Sequence, residues 1–323
     1  MKKIMALLVA GIMVFSLVSC GEKTVENSQD DNITTQEPAK ESEILNPTGG
    51  STTVGSYTLT AEFLPFEEPF ESTASGDPDM SVFGDTVYIS DGGNTVKVYT
   101  LSDSGLTYVK TLDIPCRNGI SADMNGNIYA DGGIVEAKIY DADGNETGKA
   151  VASGKISLSK TEDFALTFWS GGDEVTKIAG GAQEPWVITG MNSGGSIFKN
   201  INKIEIQNGH VLVGGAGADK NLIAVYDTAG TQLAVSELSG SLPNAVCEST
   251  NGYISAAVGA MSFIAKDGSA IGDAEDSKAL FGVDKTIWVR NMTPLLDGTV
   301  LVCASYSRED MSNQILVYKL SGF

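Results

Sequence analysis

Asn125-Gly126-Asn127-Ile128-Tyr129-Ala130-Asp131, followed by Lys138-Ile139-Tyr140-Asp141-Ala142-Asp143-Gly144, contains the unit from which the whole chain is built. An Asn-Gly turn leads into a short apolar strand. A loop follows, then a second strand, then an Asp-x-x-Gly turn that starts a third. Asn-Gly and Asp-Gly pairs supply the positive φ that a tight hairpin needs. The first turn returns at Gly84-Asp85, Asn208-Gly209, Asn251-Gly252 and Asp297-Gly298, each before a Val/Ile/Leu/Tyr strand. Between Gly126 and Gly209 the gap is double, and Thr161-Glu162-Asp163 before Phe164-Ala165-Leu166 fills it. From Asp85 to Gly298 the turns fall about 43 residues apart, which gives six units. The second turn recurs as Ser102-Asp103-Ser104-Gly105, Asp227-Thr228-Ala229-Gly230 and Lys266-Asp267-Gly268.

With one strand before the first turn, each unit holds four antiparallel strands. That is a propeller blade. The last unit stops after its third strand, Ile315-Leu316-Val317-Tyr318-Lys319-Leu320, while Ser56 to Phe63 alternates like a strand and precedes the first blade. The expected fold is therefore all-β: a six-bladed β-propeller of four-stranded antiparallel blades, closed by an N-terminal strand joining the last blade. Such closure removes a free edge. The units resemble NHL-type propeller repeats, most closely over Gly126 to Gly144, and the resemblance spans roughly residues 57 to 323. Blade three, around Phe164 to Gly190, matches least well, and a β-sandwich with similar turns is the structural rival.

Composition agrees with many short strands. The chain has 323 residues, 42% of them hydrophobic, with 37 glycines and 9 prolines. The net charge is −20, and removing Lys2 and Lys3 makes it more negative. Such a surface repels phosphate backbones, which argues against nucleic-acid partners.

The N-terminus has its own signature. Lys2 and Lys3 precede an apolar stretch through Val18, too short for a stable span. It ends in Leu17-Val18-Ser19-Cys20, then Gly21. This tetrapeptide resembles the lipobox of bacterial lipoproteins, in which the Cys is acylated, with palmitate as one acyl group, and becomes the mature N-terminus. The resemblance implies a signal peptide over 1–19, lipidation at Cys20, and a place on the extracytoplasmic face of the cell membrane. Residues 20–55 are polar and acidic with almost no aromatics, so the expectation is a disordered tether. Residues 56–323 form the propeller.

Chemistry is sparse. His210 is the one histidine, which excludes a Ser-His-Asp set without it and any His-rich zinc site. Cys116, Cys247 and Cys303 are odd in number and read as buried free thiols, with Cys247 and Cys303 on strands of neighbouring blades. Asp141 to Asn145 opens like a calcium loop, but Glu146 and Ala152 stand where Gly and Glu are required, so it reads as a hairpin. Gly214-Gly215-Ala216-Gly217 reads as a loop between strands.

Trp169, Trp186 and Trp288 are candidate ligand contacts, because an indole offers a flat apolar face at low entropy cost. Arg117-Asn118, before an inner strand, and Arg290-Asn291, on one, are candidate polar contacts near the axis. Some six-bladed propellers are lactonases or lyases with an axial divalent cation held by Glu, Asn and Asp. Asp91, Asn94, Asn118, Asp131 and Asn291 have suitable chemistry, but their spacing selects no set.

The expectation is a monomeric, membrane-anchored extracytoplasmic binding module for a protein, peptide or glycan, without a cofactor, bound metal or catalytic set. The alternatives are a divalent-metal-dependent hydrolase or lyase and a scaffold for envelope-complex assembly.

Overall fold

The computed structural model describes residues 44–72, 76–130, 136–180, 182–186 and 197–323. Cys20, the segment 1–19 and residues 20–43 lie outside them, as does Asp131.

Three strands precede the first blade: β1 (Gly50–Val54), β2 (Tyr57–Phe63) and β3 (Phe70–Ser72). Blade one is β4–β7 (Asp79–Phe83, Thr86–Ser90, Thr95–Ser102, Gly105–Asp113). Blade two is β8–β11 (Ile120–Ala122, Ile128–Ala130, Glu136–Tyr140, Glu146–Ser153). Blade three is β12–β15 (Lys155–Leu158, Phe164–Phe168, Val175–Ala179, Ala182–Pro185), and blade four β16–β19 (Asn200–Gln207, His210–Ala216, Asn221–Asp227, Gln232–Leu238). Blade five is β20–β23 (Ala245–Glu248, Gly252–Ala256, Met261–Ala265, Ala270–Ala274). A single helical turn, α1 (Lys278–Phe281), leads to blade six, β24–β26 (Trp288–Pro294, Val300–Ser307, Asn313–Ser321).

Blades one to five are four-stranded antiparallel sheets in sequence order. Their first strands pack side by side in a closed cycle, β4 to β8, β12, β16, β20, β24 and back to β4. The protein is a six-bladed propeller, and Thr161 to Asp163 does form the hidden turn of blade three.

The turns owe their form to their sequence. Asn208 and Gly209 both have positive φ, 52° and 78°, as a two-residue hairpin requires. The Asn145 side-chain amide donates to Asp141 at 3.0 Å, and this bond, with the N–H groups of Asn145 and Asp143 at 2.8 and 2.9 Å, holds the Asp141 carboxyl below the usual range. The segment is thus a hairpin turn whose carboxylate is already occupied.

Blade six is the clasp. β2 pairs with β26 from Thr60↔Ser321 to Phe63↔Tyr318, and β1 adds a further strand outside it. β3 pairs with the beginning of β26. The Gln314 side chain exchanges two hydrogen bonds with the Leu45 backbone, at 2.8 and 2.9 Å. This corrects the boundary expected at residue 55, because the folded unit already includes Leu45 and β1. Gly49-Gly50-Ser51-Thr52-Thr53 looks like a linker, yet its glycines serve contact. A Cβ at Gly50 would collide with the Ala279 carbonyl, so glycine lets α1 lie on β1.

Gly214, Gly215 and Ala216 are also corrected, from loop to β17. A Cβ at Gly214 would come within 2.9 Å of Pro243 and Val246, so blade five can approach only a bare backbone. Cys116, Cys247 and Cys303 are buried free thiols on or beside blades two, five and six. Burial pushes the Cys116 and Cys303 thiols up to about 12. Among the described residues, no helix is long and apolar enough to cross a membrane.

Candidate ligand site at the narrow mouth of the axial channel

The innermost strands surround the axis, and each has an open edge whose backbone N–H groups need partners. Neighbouring blades supply them. Ser81 Oγ accepts from Ala122 N, Ser121 Oγ from Leu158 N, and Ser157 Oγ from Ile206 N, at 2.8, 3.3 and 3.0 Å. Gln207 accepts from Glu248 N at 2.8 Å and donates to the Met292 carbonyl at 3.0 Å. Asn291 Nδ2 donates to Asp79 Oδ1 at 2.7 Å, and Asp79 Oδ2 accepts from Ile120 N at 3.1 Å. Short polar side chains at alternate positions of the inner strands therefore stitch the ring together and make the channel wall polar.

Midway along the axis the channel is plugged. Lys203 Nζ lies 2.9 Å from Glu205 Oε1 and 3.7 Å from Asp79 Oδ1. Burial alone would push this ammonium down, but Asp79 and Glu205 outweigh it and hold Lys203 above its ordinary value. Asn291 bridges the same two carboxylates, reaching Glu205 Oε1 at 3.2 Å. Asp79, Glu205 and Asn291 thus converge on the axis as the metal reading requires, but around the protein's own cation. Among the described residues, no group of three or more His, Cys, Asp or Glu side chains is arranged to hold a metal ion.

Above the plug lies a cavity of about 130 Å³, opening at the end where the chain enters each inner strand. Every blade contributes a polar group to its wall: Asp77, Asn118, Lys155, Asn202, Asn244 and Arg290, from blades one to six in turn. Arg290 is tied down. It donates from Nη1 to Asp77 Oδ1 at 2.7 Å and from Nε to Ser305 Oγ at 2.8 Å, and its guanidinium carbon sits 4.8 Å from the centre of the Trp288 ring. On the opposite wall Ser170 donates to Asn202, which donates to the Pro243 carbonyl at 2.5 Å and to Asn244 at 3.4 Å. The rim is thus preorganised, with Trp288 left 37% exposed.

Asn118, Trp288 and Arg290 are brought together here. Arg117 is exposed on the rim, and its carbonyl accepts from Asp77 N at 3.2 Å. Trp169 is 46% exposed, between the lining residues Phe168 and Ser170. Asn291 lies deeper, in the plug, facing the cavity on the other side. Trp186 does not belong to the site. It is 5% exposed in the core shared by blades three and four, edge-on to Tyr226 with centroids 6.0 Å apart. His210 begins β17 and pairs with Glu248 at 2.9 Å, away from the mouth.

Sequence reasoning missed Asp77, Asp79, Lys155, Asn202, Lys203, Glu205 and Asn244. One signal was available. Lys203-Ile204-Glu205-Ile206-Gln207 alternates polar and apolar just before Asn208-Gly209, which puts three polar side chains on one face of an inner strand.

Below the plug a second cavity of about 300 Å³ opens on the opposite face. Val82, Leu158, Ile206 and Leu296 help to line it. Lys160 projects there, donating to the Ala122 carbonyl and to Ser81 Oγ. Burial lowers its pKa to about 8.

No protein-family model matches this chain, and no curated protein matches it. Among solved structures it is similar to the WD40 β-propeller domain of Doa1, at 14% identity and a TM-score of 0.49, over 86% of this chain and 94% of that one. The six-bladed architecture stands on the sheet order itself.

Proposed function

We propose that the chain is a monomeric, extracytoplasmic binding module, tethered to the cell membrane through lipid on Cys20 and built from NHL-like units. Its ligand is taken at the narrow mouth. The observation that carries the binding reading is the mouth itself, a small blind pocket to which all six blades contribute a polar group beside a half-exposed indole. Rigid scaffolds that converge several loops on one pocket suit recognition. The lipobox-like Leu17-Val18-Ser19-Cys20 supports the anchor. Two acyl chains or more give stable anchoring where one alone is marginal.

The metal-dependent alternative is not carried further, because the Lys203 ammonium occupies the position a cation would take between Asp79 and Glu205.

Two experiments test the proposal. Cys20→Ser should move the chain from the membrane fraction to the soluble fraction, and persistence in the membrane rejects the anchor. The soluble Cys20→Ser chain, immobilised, should retain a component of fractionated envelope material, and Trp288→Ala should release it. Equal retention by both chains rejects the mouth as the binding site.

A further inference from the structure

We infer that the narrow mouth takes a neutral carbohydrate, one terminal ring at a time, with Trp288 as the platform for its C–H face. The inference rests on the reading of this mouth as the binding site and adds the class of ligand.

Depth comes first. The cavity is about 130 Å³ and ends on the buried Lys203 ion pairs, so a chain cannot thread through. It accepts an end group. The second constraint is hydrogen-bonding character. A sugar hydroxyl donates and accepts at once, so its site needs both kinds of partner within a few ångströms. This wall has carboxylate acceptors in Asp77 and Asp79, donors in Arg290 and Lys155, and both in the Asn118 amide. Asn202 and Asn244 extend the same character along the far side. A pyranose also has an apolar C–H face, and the partly exposed Trp288 indole supplies its complement.

Charge weighs against an acidic ligand, although Lys155 adds a further cation to the wall. Arg290 is matched by Asp77 at 2.7 Å, and Lys203 by Glu205 and Asp79. A carboxylate or phosphate would meet those acids, and would approach against a net charge of −20. An apolar peptide side chain fits the other end of the channel better, where Val82, Leu158 and Ile206 line the wall.

The test is a calorimetric titration of the Cys20→Ser chain with neutral mono- and oligosaccharides. The comparison probes are uronic-acid oligosaccharides and short peptides. At least one neutral saccharide should bind saturably, and Trp288→Ala should weaken it at least tenfold with the melting temperature little changed. Trp288→Phe should recover part of the loss. Asn118→Ala, at a half-exposed loop position, should weaken it several-fold and serves if Trp288→Ala fails to fold. Leu296→Ser, at the opposite end, should bind as the parent does.

Saturable binding of a peptide or an acidic glycan that Trp288→Ala abolishes, with no neutral saccharide bound, overturns the carbohydrate inference and leaves the mouth as the site. Binding of any probe that is indifferent to both Trp288 and Asn118 overturns both. No saturable saccharide binding into the millimolar range overturns the inference.

Discussion

The two ends of the axial channel differ although four of the inner strands, β4, β12, β16 and β24, line both. The narrow end is polar, about 130 Å³, and fixed by a lattice of side-chain hydrogen bonds. The wide end is about 300 Å³, with Val82, Leu158 and Ile206 among polar wall residues and a fully exposed Leu296 on its rim. Each end borders a buried lysine. Lys203 contacts two carboxylates and stays charged, whereas the hydrogen bonds of Lys160 go to a carbonyl and a hydroxyl, and its pKa falls to about 8. Burial is similar; the partner decides the sign. One lysine closes the channel as a structural cation, and the other borders the wider cavity with its hydrogen bonds going to neutral acceptors.

The largest test of this contrast is Lys203→Ala. It leaves Asp79 and Glu205 buried without their cation, and removing one partner of a buried pair costs about 3–5 kcal/mol. Urea denaturation at neutral pH should show a loss of that size, shrinking at acid pH as Glu205 protonates, a carboxyl that burial already pushes above its usual range. A loss below about 1 kcal/mol would mean that the plug is not held by charge.

Lys160→Met should act in the opposite direction. The folded pKa of about 8 lies below the ordinary 10.5, so between these values the unfolded chain binds more protons and stability rises with pH. Below pH 8 the charged lysine carries the full penalty, on the order of 3 kcal/mol. The variant should therefore gain up to about 3 kcal/mol at pH 7, less the two lost hydrogen bonds, and the gain should fade toward pH 10. A pH series of denaturation midpoints reads this directly, and a difference independent of pH would erase the distinction between the two lysines.

Smaller effects are expected at the two rims. Trp288→Ala removes a half-exposed ring and its cation–π contact with Arg290, costing about 1 kcal/mol of stability while binding is lost. Leu296→Ser should change stability by no more than about 0.5 kcal/mol. A larger thermal-melt shift there would show that the wide rim is supported by more than its visible contacts.

The fold could be read from the chain because turn chemistry is local. Asn208-Gly209 specifies its hairpin without reference to anything distant, and spacing alone exposed the Thr161–Asp163 turn that lacks the usual residues. β1 was hidden because Gly50 to Thr53 earn their place through close approach to α1, which composition does not reveal. The site was half visible. Trp288, Arg290 and Asn118 stand out by type in an acidic, all-β chain. Asp79 and Asn291 meet across 212 residues of sequence, so their bond follows only from closure of the ring. Trp186 misled for the same reason: its neighbour Tyr226 belongs to the next blade.

The clasp has a consequence in time. β2 is made among the first folded residues, and its partner β26 among the last, with Leu45 and Gln314 separated by 269 positions. Blade six therefore cannot assemble until β26 has been made, and earlier blades must wait as an open row with an unpaired strand at one end. Contacts of such long range slow folding and prolong the exposure of sticky edges. A chain interrupted before Tyr318 would keep most of its blades but lack the closing seam, and would be prone to capture by any extended segment that mimics β26.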